Sequence, residues 1–185
     1  MAQRDILKMG NPALYKIAAA VVDPTAPGLR ALHRDMEDTL VPINSCGLAA
    51  PQIGVDQRVV LYRIPPDRIP AGAKTKPVPW TLMINPTITP LDGAKSAIWE
   101  RCLSLPGLYG MVPRFTRIGI RFQDTQGRTV EREASGFHAM ILQHECDHLD
   151  GTLYPMRMAD MTKLSFASEV SVAGGFYTYK PEEFD

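Results

Sequence analysis

The strongest periodicity along the chain is helical. Leu29, Leu32, His33, Met36 and Leu40 fall at i, i+3, i+4, i+7 and i+11, and Arg30, Arg34, Asp35, Glu37 and Asp38 take the other face. That spacing predicts an amphipathic helix, which Pro42 should end. Upstream, Asn11 before Pro12 reads as a cap and first-turn proline opening a short helix. Beyond Gly47 the pattern changes to short β-type runs cut by Pro and Gly, with 58–64, 81–84, 97–103 and 118–123 as strand candidates. The proline-rich stretch 65–77 reads as an exposed loop without chemistry. A long helix is predicted over 135–150, with Ser135 as N-cap and Gly151 as stop. Its apolar residues, from Phe137 through Leu149, point almost all round, so other elements should bury it on several sides. Another helix is expected over 160–170. Small antiparallel β-sheets packed around a central buried helix make an α+β architecture, expected as one domain over 1–185.

Composition narrows the function classes. The 185 residues, 45% hydrophobic, suffice for a core without staples, because a chain of this length buries roughly 70% of its unfolded surface. Twenty Lys plus Arg balance twenty Asp plus Glu, which argues against direct nucleic-acid binding or attachment to an anionic membrane. The longest apolar run, 17–22, is too short for a membrane span or signal core. Cys46, Cys102 and Cys146 form neither a CxxC pair nor an even framework, so a reducing, cytoplasmic setting is expected.

Chemistry concentrates in the long helix. His144-Glu145-Cys146-Asp147-His148 is H-E-x-x-H: two imidazoles one turn apart can reach one divalent ion, and the Glu beside them can hold a water for attack. Phe137, Met140 and Ile141 precede His144 by seven, four and three residues, so they share its stripe and line a candidate apolar pocket. Two His leave a tetrahedral site short of a ligand; Cys102 and Glu169 are the competing donors. His33 and His138 have no partner at ligand spacing and read as ordinary.

Three segments in order, Ser45-Cys46-Gly47-Leu48-Ala49-Ala50-Pro51-Gln52, Glu100-Arg101-Cys102-Leu103-Ser104 and the H-E-x-x-H, resemble the peptide deformylase motifs G-x-G-L-A-A-x-Q, E-G-C-x-S and H-E-x-x-H. The resemblance covers nearly the whole chain. It implies Cys102, His144 and His148 as metal ligands, Glu145 as general base and then acid, and Gln52 with the Leu103 backbone N–H as oxyanion donors. It further implies Gly47 at the substrate backbone, with Cys46, Ile98, Phe137, Met140 and Ile141 around the substrate Met. Glu100 is placed beside this groove, paired with Arg114. The cofactor expected is one divalent ion, Fe(II) favoured, with Zn(II), Ni(II) or Co(II) compatible. The partner expected is an N-formylmethionyl peptide. The tail 171–185 carries one Lys against two Glu and one Asp, so no basic C-terminal helix for ribosome docking is expected. Two alternatives stand beside this reading: an H-E-x-x-H endopeptidase using Glu169, and a catalytically altered deformylase-like peptide-binding protein, since Ser45 and Arg101 replace motif glycines.

Overall fold

A computed structural model describes residues 3–172 and 179–185. Helix α1, Pro27–Leu40, buries Leu29, Leu32, Met36 and Leu40, the predicted stripe, and stops two residues before Pro42. The strands are β1 (Gly47–Ala49), β2 (Val59–Ile64), β3 (Val78–Pro90), β4 (Lys95–Cys102), β5 (Leu105–Phe115), β6 (Arg117–Gln123), β7 (Thr129–Ser135) and β8 (Leu164–Phe166). Antiparallel pairing builds a five-stranded sheet, β1-β2-β3-β6-β7, and a three-stranded one, β4-β5-β8. Helix α2 is Gly136–Leu149, and two short helices follow: α3, Ala167–Val172, and α4, Pro181–Phe184.

The larger sheet is covered on both faces, which explains the unbroken apolar run of β2. Val60, Tyr62 and Ile64 pack with Phe137, Met140, Ile141 and Leu142 of α2, whereas Val59 and Leu61 pack with Leu29, Leu32 and Met36 of α1. A third apolar cluster, including Leu14, Cys102, Val112, Leu153 and Tyr154, lies by the smaller sheet. Thirteen of the fourteen residues of α2 are buried. Ser135 precedes the helix in extended conformation but makes no side-chain cap bond; instead the Tyr179 hydroxyl accepts from the Phe137 N–H at 3.1 Å. At the other end Gly151 adopts φ 66°, and a side chain there would run into the Tyr15 backbone, so glycine is required twice over.

Several expectations need correction. The helix expected over 160–170 is a 3-10 turn at Met161–Lys163, then β8, then α3. Pairing of Leu164, Ser165 and Phe166 with Gly110, Tyr109 and Leu108 claims the segment as a strand, so sheet hydrogen bonding overrides local helix preference. Strands β5 and β7 went unpredicted. Pro106, Gly107, Gly110 and Pro113 interrupt β5, and β7 is an edge strand whose mostly exposed TVEREAS shows no apolar alternation. Cross-strand pairs Arg117–Glu133 and Arg121–Glu131 replace burial there. Of the tail 171–185, residues 173–178, on which the docking expectation partly falls, lie outside the described residues. No helix among the described residues is long and apolar enough to cross a membrane.

Candidate metal centre and groove

Helix α2 brings His144, Glu145 and His148 into the interior, and β4 ends on Cys102 against them. Ligand atoms of Cys102, His144 and His148 all lie within 4.8 Å of one another, and all three residues are buried. Cys102 Sγ is 3.3 Å from His148 Nε2, and the two imidazole rings stand at 81° with centroids 5.1 Å apart. Glu100 Oε2 lies 2.6 Å from His144 Nδ1, which commits that nitrogen and leaves Nε2 for the cluster. Burial alone would push the Cys102 thiol up, but the adjacent His148 and His144 reverse this and hold it well below its ordinary value. A buried thiolate beside two imidazoles is a donor set that suits a divalent cation of borderline softness.

Behind the cluster runs a buried ionic chain. Arg114 donates to both Glu100 oxygens at 2.6 and 3.0 Å and to Asp147 at 2.6 Å, and Asp147 also accepts from Arg157 at 2.9 Å. Burial would raise the Glu100 carboxyl, yet Arg114 and His144 bring it down to about 2, so it stays ionised on His144. Tyr154 stacks on His144 at 6.3 Å. Among the described residues Glu145 makes no ion pair with Lys or Arg: burial outweighs the nearby His144 and His148 and lifts its carboxyl to about 7, and its Oε2 finds no hydrogen-bond partner. A Cβ on Gly47 would penetrate this same carboxylate, so Gly47 is the residue that lets β1 pass over Glu145. Gln52 is buried; its Oε1 accepts from Ala49 N–H at 2.9 Å, and its Nε2 points at Cys102 Sγ (3.5 Å) and Ser104 Oγ (3.1 Å).

The cluster opens into a groove of about 970 Å³. Its walls come from two sheet edges: Ser45, Cys46 and Gly47 at β1, and Trp99 through Leu103 at β4, each the outer strand of its sheet. Phe137, Met140 and Ile141 line it from α2, and Gln52, Glu100, His144 and Glu145 also reach it. Ile98 is buried on the same face of β4 as Glu100 and Cys102 and shares one apolar cluster with Phe137, Met140, Ile141 and, packed against it, Cys46. Glu169 is exposed on α3, bonded to Ser168, and is absent from the cluster. His33 faces Glu37 at 3.9 Å and His138 faces Tyr62 at 3.3 Å, both away from the ligands. The 65–77 loop is less inert than expected, because Asp67 through Ala71 line the groove, as does Tyr179. No pattern marked these residues. Asp147 did carry a signal, a carboxylate on an otherwise apolar helix that needs a cation.

Comparison with known proteins decides the family. The family model for polypeptide deformylases matches residues 3–164. The chain belongs to the peptide deformylase family. It is 45% identical over 163 residues to peptide deformylase 1 of Nitrosomonas europaea, covering 88% of this chain and 92% of that protein. Peptide deformylase 2 of Ralstonia nicotianae is 49% identical over 163 residues, 88% and 91% of the two chains. Among solved structures, the Met-Ala-Ser-bound peptide deformylase of Acinetobacter baumannii superposes with a TM-score of 0.77 at 31% identity, over 85% of this chain and 99% of that one. This deformylase is therefore a hydrolase that removes the N-formyl group from nascent peptides, and the family's dependence on metal matches the Cys102, His144 and His148 cluster in kind.

Proposed function

We propose that Cys102, His144 and His148 hold the catalytic divalent ion, Fe(II) in the cell, and that the rest of the groove works around it. When bound, such an ion supplies Lewis acidity and makes water a competent nucleophile near neutral pH. Glu145 accepts the proton of the attacking water and returns it to the leaving amine, releasing formate and a free N-terminus. A carboxyl lifted to about 7 by burial is suited to both halves of that transfer. As the formyl oxygen gains charge, the Gln52 amide and the Leu103 N–H donate to it. Gln52 is pre-oriented because Ala49 fixes its oxygen, and Leu103 follows Cys102 directly in the β4–β5 turn.

The substrate N-formylmethionyl peptide lies along the outer strands β1 and β4, and its Met side chain enters the apolar end made by Cys46, Phe137, Met140 and Ile141. Burial, with Glu145 nearby, pushes the Cys46 thiol up to about 11, so it acts there as a small apolar wall and not as a nucleophile. Glu100 and Arg114 act through His144, holding its ring and tautomer. This is a cytoplasmic activity, performed on chains as they leave the ribosome. The observation that carries the proposal is the unpartnered carboxylate of Glu145 beside three clustered ligands. The test is metal content and formate release from formyl-Met-Ala-Ser. Cys102→Ser should lose both, and Glu169→Ala should keep both; the reverse pattern would establish the endopeptidase ligand set instead.

A further inference from the structure

Arg101 stands where the second motif has glycine, directly between Glu100 and the thiolate candidate Cys102. The pleat of β4 sends Glu100 and Cys102 inward and leaves Trp99 half-buried and Arg101 exposed on the groove side. A glycine here would offer bare backbone to a bound peptide; this chain offers a guanidinium. Its group meets the Tyr109 hydroxyl at 3.5 Å across the β4–β5 pair and forms no ion pair among the described residues. Ser45, Cys46 and Gly47 of the facing wall line the same groove.

The surrounding charges do not neutralise it. Among the described residues Lys8, whose ammonium donates to the Leu103 carbonyl at 2.9 Å, and Arg68 also line the groove, against a single exposed carboxylate, Asp67, which accepts from Asn44 at 2.9 Å. Glu100 is committed to Arg114 and His144, and Glu145 is buried with its carboxylate against Gly47. The solvent-facing rim thus carries three cations to one anion, beside the strand edge along which a peptide would extend.

We propose that Arg101 makes the groove select peptides bearing a carboxylate one or two residues beyond the formylated Met, an acidic side chain in a nascent chain or the terminal carboxylate of a short peptide. The inference rests on the function proposed above. Because the contact lies away from the reacting atoms, it is made equally in ground and transition states and should act on KM more than on kcat. An exposed pair of this kind is worth about threefold to fivefold, and salt screens it.

The test compares formyl-Met peptides with Glu or Gln at the second or third position, as C-terminal amides, and the Gln peptides again as free acids to separate side chain from terminus. The metal-loaded enzyme should favour a carboxylate-bearing peptide in kcat/KM by about threefold to fivefold at low salt, chiefly through KM. That ratio should fall to about one at high salt and in Arg101→Gly, and should invert in Arg101→Glu. Equal rates for charged and neutral peptides in the parent enzyme would overturn the proposal, as would a preference that survives Arg101→Gly. No formate from any peptide would instead overturn the reaction assigned to the site, and this inference with it.

Discussion

Gly47 and Glu145 sit 98 positions apart in sequence yet share one volume, because a methyl group on the glycine would occupy the carboxylate's place. Gly47→Ala is accordingly expected to displace the base, and a displacement near 1 Å costs about a hundredfold in turnover. Metal content should be unchanged, which steady-state kinetics with elemental analysis would show. Arg114 is a second such point. Its replacement by Ala leaves Glu100 and Asp147 buried without their shared cation, at a cost of about 3–5 kcal/mol in denaturant unfolding. At this scale much of the site was legible in the sequence: H-E-x-x-H spacing brings two imidazoles together by helix geometry alone. Cys102 needed a resemblance, since nothing local distinguishes a ligand thiol from a core one. Arg157, Tyr154 and the 67–71 wall were not legible, because only tertiary packing brings them to the site.

Helix α2 shows how an element can be specified by its surroundings. Its N-terminus is capped by Tyr179, whose hydroxyl in turn donates to Asp185 at 2.7 Å, and not by the Ser135 side chain that local rules nominate. Tyr179→Phe should therefore lower stability by about 1 kcal/mol, and Ser135→Ala by much less, in parallel thermal melts. The same helix carries a pH dependence. Burial lowers the His138 imidazole to about 4, so the folded protein binds fewer protons than the unfolded chain between that value and the usual 6.5. Stability from this group is complete above pH 6.5 and falls by up to about 1.4 kcal/mol per pH unit on acidification toward 4. His138→Gln should flatten that part of the stability profile. Strands were legible where burial alternates or runs unbroken, as in β2, and illegible where pairing alone makes them. Strands β7 and β8 hold their form through neighbours, so their sequences carry little strand signal of their own.

Across the whole molecule, the groove exists because two sheets end in the outer strands β1 and β4, on either side of a helix that brings His144, Glu145 and His148 between them. The α+β class followed from the apolar girth of α2, whereas the edge-to-edge arrangement depended on strand order, which periodicity does not encode. The proposed ligand set, drawn from β4 and α2, would also tie the smaller sheet to the core. Divalent metal should consequently raise the unfolding midpoint, by about 2.7 kcal/mol of added stability at free metal a hundredfold above its Kd, and Cys102→Ser should abolish the increment. The account as a whole turns on Glu145 as the proton-transfer group of a deformylase. Its most direct test is the rate of formate release from formyl-Met-Ala-Ser by Glu145→Gln and by the parent enzyme at matched metal content. The rate is expected to fall by about a hundredfold to ten-thousandfold with metal retained; equal rates would contradict the account.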